Sequence, residues 1–104
     1  WPLIQRSGKF CVNILAEDQA WLSNQMASRG ADKFAGVDWT PAPATGTPLL
    51  RGTIAHLECS IHAVHEAGDH YVVIGRVLGL EVGDVDDPLL FFRGRYATTE
   101  PAVD

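Results

Sequence analysis

His56, Glu58, Ser60 and His62 occupy alternate positions of one segment, and His65 lies just beyond it. In a strand, alternate side chains share a face, so two imidazoles and a carboxylate would point the same way. Such an array can ligate a metal. It is also the pattern of a solvated strand face, and with no catalytic metal motif to frame it, no metal is expected. His70 follows Gly68-Asp69 and opens the next apolar run. That puts an imidazole at a strand mouth beside a carboxylate able to steer its proton. A turn-capping histidine with no further duty fits the same residues. Arg93-Gly94-Arg95-Tyr96 joins two guanidiniums, a flexible joint and an aromatic ring, a set suited to an anionic ligand that carries rings. A charged barrel rim would read alike. Asp32-Lys33-Phe34 and Ser23–Ala27 flank a predicted helix end where a phosphate-bearing ligand could sit. No P-loop, GxGxxG, GxSxG, HExxH or CxxC pattern is present.

These groups must be held by a small scaffold. The chain has 104 residues, 46% hydrophobic and 20% charged, which is ordinary for one globular domain and excludes a disordered chain. A fold of this length buries about 65% of the surface its unfolded chain exposes. Eight Lys+Arg against 13 Asp+Glu leave a net charge of −5 with no clustered cations, which argues against a nucleic-acid partner. The longest apolar run, Tyr71–Leu80, is interrupted by Arg76 and falls short of the about 20 residues of a membrane helix, so no membrane partner is expected. Cys11 and Cys59 lie in apolar stretches and read as buried structural thiols. With no signal segment, the expected compartment is cytoplasmic, and a start at Trp1-Pro2 rather than Met is expected to mark a trimmed chain.

Trp1–Gln5 reads as a helix tail or turn that Gly8 stops. Lys9–Leu15 is a predicted strand, apolar on both faces and therefore expected inside a sheet. Glu17–Arg29 is predicted as a helix, with acids in its first turn, Arg29 in its last and Gly30 as its stop; Trp21, Leu22 and Met26 form its apolar stripe. Thr40–Pro48, with three prolines, is expected to be loop. Thr53–Ala63 alternates strictly, predicting an antiparallel strand with Ala55, Leu57, Cys59 and Ile61 inward and the polar residues outward. Glu66–Asp69 turns the chain, and His70–Val82 returns as a strand in which Gly75 and Gly79 mark bends or close backbone approach. Leu89–Phe92 is a further short strand, Arg93–Tyr96 its exit and Ala97–Asp104 a polar tail. The expected class is mainly β with one or two helices, mostly antiparallel.

Several runs, taken in order, resemble one family. They are Gly8-Lys9-Phe10-Cys11-Val12-Asn13-Ile14-Leu15-Ala16-Glu17-Asp18-Gln19, Asp32-Lys33-Phe34-Ala35-Gly36, Leu57-Glu58-Cys59, Gly68-Asp69-His70 with Ile74-Gly75-Arg76-Val77, and Pro88-Leu89-Leu90-Phe91-Phe92-Arg93-Gly94-Arg95-Tyr96. Together they look like the flavin reductase-like proteins with the FMN-binding split-barrel fold, the reductase components of two-component flavin-dependent monooxygenases. The resemblance implies a Greek-key antiparallel barrel, usually a homodimer, that reduces free FMN or FAD with NADH or NADPH and serves a partner monooxygenase through diffusible reduced flavin. It implies that His70 acts at the nicotinamide nucleotide, that Arg93, Gly94, Arg95 and Tyr96 line the same nucleotide, and that Gln25 and Met26 stand near the flavin phosphate or adenine. The family more often has a basic residue and a Phe at those last two positions. Its members also carry an Asn-Ser-Phe-Thr-Ser-like stretch before a Pro-Pro-Leu, which has no counterpart here. Residues 1–104 are therefore expected to be the C-terminal two-thirds of one such domain, a barrel incomplete at its N-terminus. A flavin-binding module without turnover, or an inactive fragment, is the alternative.

Overall fold

A computed structural model describes residues 1–30 and 32–99. The chain opens with helix α1 (Pro2–Ser7), where Pro2 supplies a preset φ at the first helical position. Gly8, at φ 74°, ends it and donates its N–H to Ile4 O at 2.8 Å, as expected of that glycine. Strand β1 (Lys9–Ile14) pairs antiparallel with β4 (Ala55–Ala67), which pairs with β5 (His70–Val82) across a turn at Gly68-Asp69. The sheet order is β1-β4-β5. The Lys9–Leu15 strand is thus not interior among the described residues but outermost. Its apolar character answers packing rather than a second strand. Phe10 reaches across to Gly75, whereas Val12 and Ile14 remain over 40% exposed.

The expected helix over Glu17–Arg29 divides into a 3-10 turn (Glu17–Gln19) and helix α2 (Ala20–Ala27). Gln19 causes the division. Its buried amide accepts from Ala16 N–H at 2.9 Å and donates to Arg51 O at 2.8 Å, which tightens the first turn. At the other end Ser28 turns extended, and its hydroxyl donates back to Gln25 O at 2.6 Å, so the helix stops before Gly30. Leu22 is buried in the core while Trp21 is half exposed.

Thr40–Pro48 is not simply loop. Strands β2 (Trp39–Pro41) and β3 (Pro48–Leu50) form a short hairpin, in which Pro41 and Pro48 face each other at the end of the ladder. There neither missing N–H interrupts a bond. The strict alternation of Thr53–Ala63 fails at two residues as well. His56 and Glu58 are buried beside Ala55 and Cys59, Ser60 is half-buried, and of that face only His62 lies exposed as expected. Register shifts at Glu58/Cys59 and Ile61/Ala63 break the two-residue period, and the turn between β2 and β3 covers the face bearing Glu58. Gly75 and Gly79 do mark close approach: a Cβ at Gly75 would sit 2.7 Å from Phe10 Cζ, and one at Gly79 would sit 2.8 Å from Glu58 Oε2.

Arg93–Tyr96 is a hairpin rather than an exit. It joins β6 (Leu90–Phe92) to β7 (Arg95–Ala97) through a two-residue turn with Arg93 at φ 52° and Gly94 at φ 78°. Of the expected polar tail, Ala97 belongs to β7, and residues 100–104 lie outside the described residues. The hairpin is tied to the rest by Glu17 N–H to Asp87 O at 2.9 Å and Leu89 N–H to Leu15 O at 3.0 Å. The architecture is mainly β with two helices. Its strands form one three-stranded and two two-stranded sheets, and no closed barrel exists among the described residues. Among them, too, no helix is long and apolar enough to cross a membrane.

Candidate functional site

One concavity is a cleft of about 800 Å³, within the size range of small-molecule sites. Ile4 of α1 and Trp1 just before it form one wall, Met26 of α2 and Phe34 another, and Pro48 and Leu50 of β3 a third. The strand Lys9–Ile14 contributes Lys9, Phe10, Cys11 and Asn13. Lys9 and Lys33 give the lining two cations, and the described lining residues include no carboxylate. In a chain of net charge −5 this is a local reversal of sign, suited to an anion attached to an apolar body.

Asn13 stitches the cleft together. Its side chain donates to Pro48 O at 3.2 Å and accepts from Leu50 N–H at 2.9 Å, joining β1 to β3. A lone amide inside an apolar strand is the sequence signal for such a stitch, and sequence reasoning passed over it. Burial, helped by the Glu58 carboxylate and by Cys59, pushes the Cys11 thiol above its ordinary pKa of 9.0. It stays protonated at neutral pH and is no nucleophile.

The expected site residues fall into three groups. Met26 lines the cleft, whereas Gln25 beside it donates to Lys33 O and Ala35 O, each at 2.8 Å, and so holds the loop bearing Lys33 and Phe34. His70 sits at the exposed tip of the β4–β5 hairpin with Nδ1 2.6 Å from Asp69 Oδ1. A carboxylate only accepts, so the ring proton lies on Nδ1 and a neutral ring leaves Nε2 as an acceptor. The next residue, Tyr71, stacks on Trp1 with ring centroids 6.0 Å apart, which links this tip to the cleft wall. Arg93 and Arg95 project from the β6–β7 hairpin, where the Arg93 guanidinium lies 5.1 Å over the Phe92 ring. Tyr96 docks that hairpin on α2, its hydroxyl donating to Asn24 Oδ1 at 2.8 Å and lying 3.0 Å from Ser23 Oγ. No hydrogen bond among the described residues joins His70 to Arg93–Tyr96, and neither group lines the cleft; the nearest links are the Trp1–Tyr71 stack beside His70 and the Tyr96–Asn24 bond to α2. Of the histidine strand face, His56 Nε2 lies 3.5 Å from Glu81 Oε2, and the described residues hold no group of three metal-ligating side chains.

Comparison with known proteins bears on this arrangement. Residues 1–100 match the flavin reductase like domain. The chain is 50% identical over 101 residues to the reductase subunit HsaB of a flavin-dependent monooxygenase from Rhodococcus jostii, covering 97% of this chain and 51% of that protein. It is 46% identical over 96 residues to a flavin reductase from Pseudomonas putida, covering 92% and 56%. The chain thus spans about half the length of the curated relatives it matches. Among solved structures, a nitrilotriacetate monooxygenase component B homologue from Mycobacterium thermoresistibile superposes with a TM-score of 0.92 at 48% identity, over 97% of this chain and 57% of that one. The NADH:FAD oxidoreductase SgcE6 of Streptomyces globisporus, in complex with NAD and FAD fragments, gives a TM-score of 0.89 at 33% identity, over 98% and 64%. A match this continuous in sequence and fold leaves one assignment: the chain belongs to the flavin reductase-like family.

Proposed function

We propose that this protein is an NAD(P)H:flavin oxidoreductase that reduces a diffusible FMN or FAD and passes it to a partner monooxygenase. The observation that carries this reading is the cleft. Trp1, Phe10, Phe34 and Met26 offer apolar surface for a flat ring system, and Lys9 and Lys33 offer cations for its phosphate. The absence of carboxylates from the described lining means that a phosphate there meets no repulsion. SgcE6, named an NADH:FAD oxidoreductase and solved with pieces of both cofactors, supports the same pairing.

When bound, the flavin accepts a hydride from the nicotinamide, and that chemistry is the cofactors' own. The protein binds, orients and excludes water. Lys9 and Lys33 hold phosphate, Met26 packs on the ligand, and Gln25 keeps the Lys33–Ala35 loop in place. His70 offers Nε2 to the nicotinamide nucleotide. Arg93 and Arg95 meet its phosphates, with Gly94 holding their turn and Tyr96 presenting a ring whose hydroxyl is already engaged. The apolar, unpaired flank of β5 fits a homodimer, and two free thiols fit a reducing cytoplasm.

The test is oxidation of NADH and NADPH by the full chain, with and without added flavin. Turnover is expected only with FMN or FAD present. No turnover at saturating levels of both flavins overturns the enzyme reading. Quenching of flavin fluorescence without turnover then identifies a binding module, and no quenching an inactive fragment. His70→Ala is expected to raise the KM for the nicotinamide substrate more than that for flavin.

A further inference from the structure

Glu58 is an acid where a strand has no ordinary use for one. It is only 3% exposed, and burying a carboxylate is costly unless hydrogen bonds replace its water. Among the described residues no Lys or Arg pairs with it. Its compensation comes from one place. Oε1 accepts from Ala44 N–H at 2.9 Å, Thr45 N–H at 2.8 Å and Thr45 Oγ1 at 2.9 Å. All three donors belong to the turn between β2 and β3, and none to the sheet that carries Glu58. The sheet for its part makes room: Gly79 stands opposite on β5, where a Cβ would lie 2.8 Å from Oε2, and Cys11 stands opposite on β1.

The turn leads straight to the cleft. Thr45 Oγ1 lies 2.6 Å from Thr47 Oγ1. A hydroxyl has one proton, and that of Thr45 is given to Glu58, so Thr47 must donate to Thr45. Thr47 lines the cleft with Pro48 and Leu50, and with its proton given to Thr45 its oxygen is left with acceptor capacity only. The carboxylate sets both where the turn sits and which way two hydroxyls point.

From this we propose that Glu58 is a positioning residue of the flavin cleft, acting through Thr45 and Thr47 on the wall formed by Thr47, Pro48 and Leu50. The proposal rests on the reading of the cleft as the flavin site. Glu58→Gln keeps the shape but weakens the charge-assisted bonds, so the full-chain variant is expected to bind flavin about tenfold more weakly. The KM for the nicotinamide substrate should stay put. Hydrogen exchange at the Ala44 and Thr45 amides should quicken whether or not flavin is present. Thr45→Val should reproduce the effect and Thr45→Ser restore wild-type binding, which keeps the test intact if Glu58→Gln does not fold. A purely structural role lowers the Tm of Glu58→Gln and Thr45→Val with flavin affinity unchanged, and that result overturns the proposal. Unaltered amide exchange alongside normal wild-type flavin binding overturns it equally. A wild-type chain that binds neither flavin overturns the cleft reading and, with it, the proposal.

Discussion

Arg93 holds a backbone conformation that residues with side chains avoid, at φ 52° ahead of Gly94 at φ 78°. Two consecutive positive φ values make the turn type that favours Asn-Gly, in keeping with the twist of the flanking strands. Arg93→Asn is therefore expected to raise stability by about 1 kcal/mol, seen as a higher Tm, while raising the KM for the nicotinamide substrate. Stability and function would then pull apart at one position. Glu58 makes a second prediction. Burial works against its ionisation, but the Thr45 hydroxyl and the backbone N–H groups of Thr45 and Ala44 outweigh it and hold the carboxyl below its ordinary pKa of 4.5. A carboxyl lowered in the native state contributes stability that is complete above the ordinary value and fades as pH falls through the native one. The Tm difference between wild type and Glu58→Gln should accordingly shrink once the pH drops below 4.5. His70 and Arg93–Tyr96 stand out in the sequence because unusual residue types cluster there, yet the cleft is lined by other residues. Glu58 and Asn13 were not, because their partners lie 13 to 37 positions away.

At the level of elements, the glycines of β5 are positions where the sheet is too close for a side chain. Gly75→Ala would place a Cβ 2.7 Å from Phe10 Cζ and 3.2 Å from Cys59 Cβ. Overpacking of this kind costs about 1–3 kcal/mol, and chemical denaturation should show that loss. Sequence alternation made β4 and β5 visible as a hairpin and suggested that its glycines meet something. It missed that the second face of β4 is covered as well at His56 and Glu58, because local period carries no information on a turn arriving from Ala42–Thr47 or on a bulge. The same blindness merged a 3-10 turn and α2 into one helix, since the Gln19–Arg51 bond is a tertiary contact. Prolines hid the β2–β3 hairpin, whose ladder is held from outside by Asn13.

On the scale of the whole molecule, the Cα radius of gyration is 15.1 Å, against about 13 Å for a compact chain of this length. The excess goes with an apolar flank. Val72, Val77, Leu80 and Val82 of β5 are each at least half exposed, and β5 is an outer strand of its sheet. Exposed edges of this kind recruit other strands. Sedimentation of the chain should show association that rises with concentration, and Leu80→Lys should shift it toward the monomer. No periodicity within a strand says which of its neighbours it lacks, so the fold class was legible and the arrangement of the sheets was not.

Trp1 belongs to two places at once, the wall of the cleft and a stack upon Tyr71 beside His70. An indole so placed is an optical probe native to the chain. Resonance energy transfer to a ligand absorbing in the near ultraviolet would dim its emission when the cleft fills. Motion of the His70 tip would change it through the ring of Tyr71. Trp21 and Trp39 emit as well, and Trp39 packs on Phe34 of the cleft wall, so the difference between wild type and Trp1→Phe isolates the signal. Followed in time, that difference emission reports filling of the cleft and motion of the His70 tip as separate events.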